Sequence, residues 1–417
     1  MSAIADSTGD DASRPRRLTI SYASLKRGAL WLLTASSWVA LIEPSPYEIA
    51  FVLVLLVFAV TGIRFSQKLL PLAVLLLLFN IGGAVSLIPW MHDSDSVRFI
   101  AVSIYLMITA IFLAAIMAED PLGRIEMLMK GYLFAVWCAG IAAVLGYFDI
   151  AGLGARFTLY GRASGTFKDP NVLGPYLVLP IVFALQFVLI GRYSLMRGMV
   201  LISVPLAALF LTFSRGAWGN LVASVLVMVF ITFLTSPSAA RRGRIVMLTL
   251  ASLFVAAAAL MVALSFEGIR EVFEIRASLD QSYDQGVTGR FGSQLRAIPL
   301  LLDDPNGFGP LQFRWIFNQQ DPHNVYINAF ASYGWLGGCA WLALMVATCY
   351  VGWRLAFRPA PTQNHAIAVW SVLFVTILQG IQIDTDHWRH VYLMMGLVWG
   401  LAAVTIRRTP HYSRPFR

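Results

Sequence analysis

Arg162, Lys168, Arg215, Arg290, Arg296 and His323 stand in polar segments that interrupt long apolar runs. Arginine is always charged and offers a planar fork that matches phosphate oxygens bidentately. Histidine is the side chain that exchanges a proton near neutral pH. Together these residue types suit chemistry on an anionic substrate, in which fixed cations stabilise developing negative charge and an imidazole accepts a proton from the attacking group.

Each segment also has a plainer reading. Leu211-Thr-Phe-Ser-Arg-Gly-Ala-Trp-Gly219 joins two hydrophobic runs with almost no loop, so Arg215 sits at a membrane surface. There it either snorkels to the headgroups or meets a lipid diphosphate at that depth. In Gly161-Arg-Ala-Ser-Gly-Thr-Phe-Lys-Asp-Pro-Asn171, Asp169 or Asn171 can cap the following helix, while Arg162 and Lys168 beside a helix start make an anion-binding corner. The segment lacks the Gly-Lys-Ser/Thr of a phosphate-binding P-loop. His323, in Asp321-Pro-His-Asn324, lies where a long polar stretch returns to an apolar run, a position that also suits a cap. Asp384-Thr-Asp-His-Trp-Arg-His390 gathers two carboxylates and two imidazoles, but the spacing matches no standard metal site and a short turn between helices is expected to be polar. Neither a metal nor a cofactor is expected. His92, His365 and His411 read as loop residues, and Glu126 and Lys130 as an i,i+4 pair.

The elements that position these residues follow from composition. With 58% hydrophobic and 13% charged residues in 417, the chain is too apolar for a soluble protein and reads as a polytopic membrane protein. Spanning helices need roughly 20 apolar residues. Such runs occur near 28–43, 48–63, 69–89, 97–118, 125–148, 172–190, 198–213, 217–235, 245–265, 324–352, 366–383 and 391–406. The expected fold is therefore all-α, with about twelve transmembrane helices. Residues 1–27 form a cytoplasmic basic tail, 28–406 a single transmembrane domain, and 407–417 a second cytoplasmic basic tail.

The net charge of +9 comes from Lys and Arg scattered in short connections, which fits the positive-inside rule rather than a nucleic-acid surface. With both termini inside, segments 149–171, 214–216, about 266–323 and 384–390 share the outer face. Within the long loop, Phe266, Ile269 and Phe273 continue a helical period beyond the membrane. Phe291, Leu295, Ile298 and Leu302 predict an amphipathic helix after Arg290. Asp303 to Gly307 reads as a turn. The three cysteines lie in apolar runs, which argues against a disulfide framework.

Taken together, Arg162-Ala-Ser-Gly-Thr-Phe-Lys-Asp-Pro-Asn171, Phe213-Ser-Arg-Gly-Ala217, Gly307-Phe-Gly-Pro310 and His323-Asn-Val-Tyr326 resemble the O-antigen ligase and polymerase superfamily of bacterial envelope enzymes. The resemblance covers roughly 160–340. It implies a GT-C-like membrane glycosyltransferase in the bacterial inner membrane, working at the periplasmic face without metal or cofactor. The implied donor is an undecaprenyl-diphosphate-linked glycan and the implied acceptor a glycan or lipid A core. It implies catalytic roles for Arg215, Arg290 and His323; beside them, Arg162, Lys168, Asn171, Arg296 and Asn324 are the expected substrate-binding residues. Membrane lipids and polysaccharide assembly proteins are the other expected partners, and nucleic acid is not.

Polymerisation of a surface or secreted polysaccharide is the leading expectation, followed by ligation onto lipid A core and transfer onto protein. A transporter or flippase for the same lipids is the alternative of a different class. Transporters tend toward internal repeats and mid-bilayer ionisable residues, whereas here the charges cluster at one face.

Overall fold

The computed structural model describes residues 22–277, 286, 289–317 and 321–405. Its helices are α1 (Tyr22–Ala35), α2 (Pro46–Thr61), α3 (Leu70–Leu87), α4 (Ser94–Ile116), α5 (Pro121–Tyr147), α6 (Gly154–Phe157), α7 (Pro170–Leu189), α8 (Leu195–Leu211) and α9 (Arg215–Thr235). They continue with α10 (Ala239–Leu264), α11 (Glu267–Ala277), α12 (Arg290–Asp303), α13 (Phe313–Ile316), α14 (Val325–Ala356), α15 (Gln363–Gln379) and α16 (Arg389–Thr405). Two short antiparallel strands, β1 (Thr158–Leu159) and β2 (Arg162–Ala163), pair in the connection before α7. The protein is an all-α polytopic membrane protein.

Every one of the twelve apolar runs contributes a helix. Among the described residues seven helices are long and apolar enough to cross a membrane, including α4, α5, α7 and α14. The other five, α1, α2, α8, α15 and α16, have 14 to 17 residues. Helix α1 starts inside the stretch expected to be a tail and stops at Ala35, short of the run's end at 43. Lys26 and Arg27 in its first turns pair with Glu119 and Asp120 at 3.6 and 3.2 Å, so charged residues extend the helix. At its other end the Ser36 and Ser37 hydroxyls donate to Leu33 O and Thr34 O, and the chain leaves the helix there. The rest of the expected tails, residues 1–21 and 406–417, lies outside the described residues.

Helix starts follow local chemistry. Asp93, Asp120, Asp169 and Ser45 each cap the helix that follows them, three of these helices opening with proline. Packing then depends on small residues, as expected where lipid offers no hydrophobic drive between helices. A Cβ on Gly82 of α3 would stand 2.5 Å from the Gly337 backbone of α14, and Gly396 and Gly400 of α16 lie as tightly on Ala110 and Ala114 of α4. Helix α7 is the centre, 89% of its membrane-length window being buried, whereas α10 buries 6% of its own and lies at the edge.

Two expectations fail for packing reasons. Glu126 pairs not with Lys130 but with Arg192 at 2.6 Å, because the α7–α8 connection crosses over α5. His365 is not a loop residue. It lies in α15, 1% exposed, 3.7 Å from Glu126. His411 falls outside the described residues.

The connections sort to two ends of the bundle. Glu119, Asp120, Arg124 and Lys26 meet at one end. At the other, Ala40 N donates to Thr166 O, Trp90 Nε1 to Phe308 O at 3.0 Å, and Ser96 Oγ to Pro310 O at 2.8 Å. Thr166, Phe308 and Pro310 thus lie at this second end, and Arg162 Nε, donating to Thr212 O at 2.7 Å, ties segment 149–171 to the end of α8.

Candidate active site

The Ser-Arg segment is a tight turn. Helix α8 ends at Leu211, and Phe213 takes a left-handed conformation (φ +46°), which costs a non-glycine residue roughly 1–2 kcal/mol. Burial of its ring beside Phe210, Trp218 and Tyr147 holds it there. Ser214 Oγ accepts from Ala217 N, so Arg215 becomes the first residue of α9, half-buried.

Arg162 stands behind this turn. It is 8% exposed, and its guanidinium donates from Nε to Thr212 O at 2.7 Å and from Nη2 to Asn171 Oδ1 at 2.8 Å. It joins β2, the end of α8 and the start of α7. Asp169, rather than Asn171, caps α7, accepting from Asn171 N at 2.7 Å. Lys168 lies apart, paired with Glu43, which also holds Arg98.

Arg290 opens the predicted amphipathic helix, α12. Its Nη1 donates to Gln382 O at 3.4 Å, and its guanidinium stacks 5.0 Å above Phe291. One turn on, Gln294 Nε2 donates to Pro322 O at 2.8 Å, fixing α12 against the segment that carries His323. Arg296 is exposed and lies over Phe317, 5.3 Å from the ring centre. Of the two neighbouring arginines, Arg290 is therefore the one in contact with the α15–α16 turn.

His323 is exposed with φ +48°. Its backbone N–H and that of Asn324 donate to the two carboxylate oxygens of Asp384, each at 3.0 Å. The Asn324 side chain caps α14 by accepting from Tyr326 N and Ile327 N, and Val325 N donates to Gly380 O at 2.8 Å.

The Gly-Phe-Gly-Pro motif sets the direction of that helix. Helix α14 breaks at Gly334 (φ +64°), and the 305–309 turn fills the break: Trp335 N donates to Pro305 O at 2.8 Å and Gly309 N to Ala331 O at 3.1 Å. A Cβ on Gly307 would stand 2.4 Å from Phe330 O, so no larger residue fits.

These contacts converge on one short piece of chain. At the start of α9, a Cβ on Gly216 would meet Gln379 Nε2 at 2.8 Å, and Asn220 Nδ2 donates to Gln379 Oε1 at 2.6 Å. Arg290 reaches Gln382, and His323 and Asn324 reach Asp384. Three helix starts, those of α9, α12 and α14, therefore meet the segment 379–384. Helix starts carry partial positive charge, and here two of them begin with arginine, so the corner favours an anion.

Asp384 was legible only as part of a polar cluster, and its role depends on the fold. Burial raises its carboxyl well above the usual range, with the charges of Asp386 and Asp321 acting in the same direction and the two backbone donors against them. Asp386 accepts from Asn328 at 3.1 Å and from His387 Nδ1 at 3.1 Å. Burial lowers the His387 pKa, but Asp386 and the Phe99 carbonyl, 3.0 Å from Nε2, outweigh it and the net direction is upward. The Asp384–His390 segment thus braces the helix ends. Among the described residues no group of three or more His, Cys, Asp or Glu is arranged to hold a metal ion.

No curated protein matches the chain. Residues 198–342 match a family model described as O-Antigen ligase. That span runs from α8 through the Ser-Arg turn, α12 and His323 into α14, so over this part the chain is similar to the O-antigen ligase family.

Proposed function

We propose that the protein transfers a glycan from undecaprenyl diphosphate to a sugar hydroxyl at the periplasmic face of the bacterial inner membrane, polymerising a surface or secreted polysaccharide. The single observation that carries this reading is the meeting of the Arg215, Arg290 and His323 helix starts at segment 379–384.

In the proposed reaction the bond between the anomeric carbon and the donor diphosphate breaks, and a bond from that carbon to the acceptor oxygen forms. The diphosphate keeps the bonding electrons. Arg215 and Arg290, with the positive ends of α9 and α12, stabilise that charge. His323 accepts the proton the acceptor hydroxyl loses as attack proceeds, then releases it to water. A lipid diphosphate leaves without protonation, so the step calls for neither a metal nor a cofactor. Asp384 holds the His323 backbone, and Arg162 supports the Ser-Arg turn from behind.

The test is transfer by the purified protein in nanodiscs, given a lipid-linked repeating unit alone or together with lipid A core. Growth of lipid-linked chains from the repeating unit alone supports polymerisation. Product only when lipid A core is present would replace polymerisation by ligation. No cleavage of the donor under either condition would overturn the enzymatic reading in favour of transport.

A further inference from the structure

A cavity of about 1010 Å³ opens beside the α15–α16 turn, and no residue of α9 or α12 lines it. It is bounded by the α1–α2 connection, α4, α5, the start of α7 and the start of α16. None of Arg215, Arg290 and His323 lines it. It nevertheless borders the segments that hold His323. His387 lines the cavity and follows Asp384 by three residues, and Arg314 lines it while pairing at 3.0 Å with Asp321, next but one to His323.

The charge of this cavity differs from that of the arginine corner. Four carboxylates and four Lys or Arg side chains line it, so its formal charge is zero with His neutral. All four of those cations already have acid partners: Arg98 and Lys168 share Glu43, Arg389 pairs with Glu48, and Arg314 with Asp321. A diphosphate would have to break such pairs, whereas a polyol can bond to them as they stand.

Four buried polar atoms in the lining lack a hydrogen bond among the described residues: the hydroxyls of Tyr47 and Tyr105, Nε of Arg314 and Nε2 of His390. Tyr47 is 2% exposed and His390 6%. Buried polar groups are nearly always bonded, so these atoms point to a hydroxyl-bearing occupant. Phe99, Tyr105, Phe167 and Trp388 add flat apolar faces. The volume is at the top of the roughly 300–1,000 Å³ range of ligand sites, enough for more than one sugar ring.

We infer that this cavity binds the acceptor glycan, an oligosaccharide without net charge, and presents its terminal hydroxyl toward His323. The inference rests on the transfer reaction proposed above.

The experiment uses the full-length protein in nanodiscs and, as probe, the oligosaccharide released by mild acid from the host's lipid-linked glycan pool, labelled at its reducing end. Tyr47→Phe removes only the hydroxyl, and Tyr105→Ala removes an aromatic face. Loss of one hydrogen bond should weaken probe binding about three- to tenfold in Tyr47→Phe. Undecaprenyl diphosphate should not displace the probe. In the transfer assay the same variant should raise KM for acceptor more than KM for donor.

Equal binding by wild type and both variants, or displacement of the probe by undecaprenyl diphosphate, would overturn the assignment. If donor cleavage is absent but probe binding shows the expected pattern, the glycan site stands and the transfer reading falls. If transfer proceeds while the binding pattern is absent, the cavity assignment fails and the reaction stands.

Discussion

At the scale of single residues, the arginines and the histidine should separate by chemistry. Lysine keeps the charge but offers one point donor, so Arg215→Lys and Arg290→Lys should each lose at least about tenfold in transfer rate, equivalent to ~1.4 kcal/mol of transition-state stabilisation. A full wild-type rate in Arg215→Lys would show that the charge alone suffices. His323→Ala should cost about 10²- to 10⁴-fold, the usual range for a general base, without changing the elution volume of the purified protein. Asp384→Asn keeps the shape of the side chain but turns an amide NH₂ toward one of two backbone donors. It should slow transfer about tenfold by loosening His323. Its pH dependence carries a defined sign. The folded-state pKa of Asp384 is raised above the unfolded value, chiefly by burial, so its contribution to stability is complete below the ordinary carboxylate pKa and is lost as pH rises through the raised one. The melting temperature of the wild type should therefore fall with rising pH more steeply than that of Asp384→Asn, and parallel curves would contradict the assignment.

The helices place these residues through their ends rather than their faces. Arg215 and Arg290 are the first residues of α9 and α12, and His323 immediately precedes the cap of α14. A shift in helix direction therefore moves these three residues directly, and with them the proposed chemistry. Gly307 and the break at Gly334 control the direction of α14, because the 305–309 turn occupies the space the break leaves. Gly307→Ala must place a methyl against Phe330 O at a positive φ, a combination that should lower the melting temperature by several degrees and reduce transfer. Gly268→Ala in α11 is the control, since nothing lies within 4 Å of its Cβ position. Equal melting temperatures for the two variants would show that the 305–309 turn does not brace the kink.

At the scale of the whole molecule, the proposal requires segments 212–216, 289–325 and 380–390 to face the periplasm. Reporters inserted at Gly243 and Gly268, either end of α10, should report cytoplasm and periplasm respectively. The opposite pattern would put the site on the wrong side of the membrane for a periplasmic donor. Transfer should also survive exhaustive chelation, and activity that a chelator removes and one added metal restores would bring the Asp384–His390 segment back as a ligand set.

Much of the architecture was legible in the chain because it is local. An apolar run in lipid must close its own backbone hydrogen bonds, so each of the twelve runs became a helix, and Asp93, Asp120 and Asp169 cap helices beside them in sequence. The amphipathic period after Arg290 likewise predicted α12. What the sequence could not state was which helix ends meet. Arg290 reaches Gln382 across 92 residues and His323 reaches Asp384 across 61. The exchange of Lys130 for Arg192 as the partner of Glu126, and the burial of His365, are of the same kind. Apolar periodicity specifies that a face is covered but not by what. That choice depends on the fit of small residues such as Gly82 against Gly337 and Gly396 against Ala110, and on the break at Gly334 that admits the 305–309 turn. The candidate residues Arg215, Arg290 and His323 stood out in the sequence by type and by the motifs around them, while the meeting of their helix starts at segment 379–384 was decided by how the helices pack.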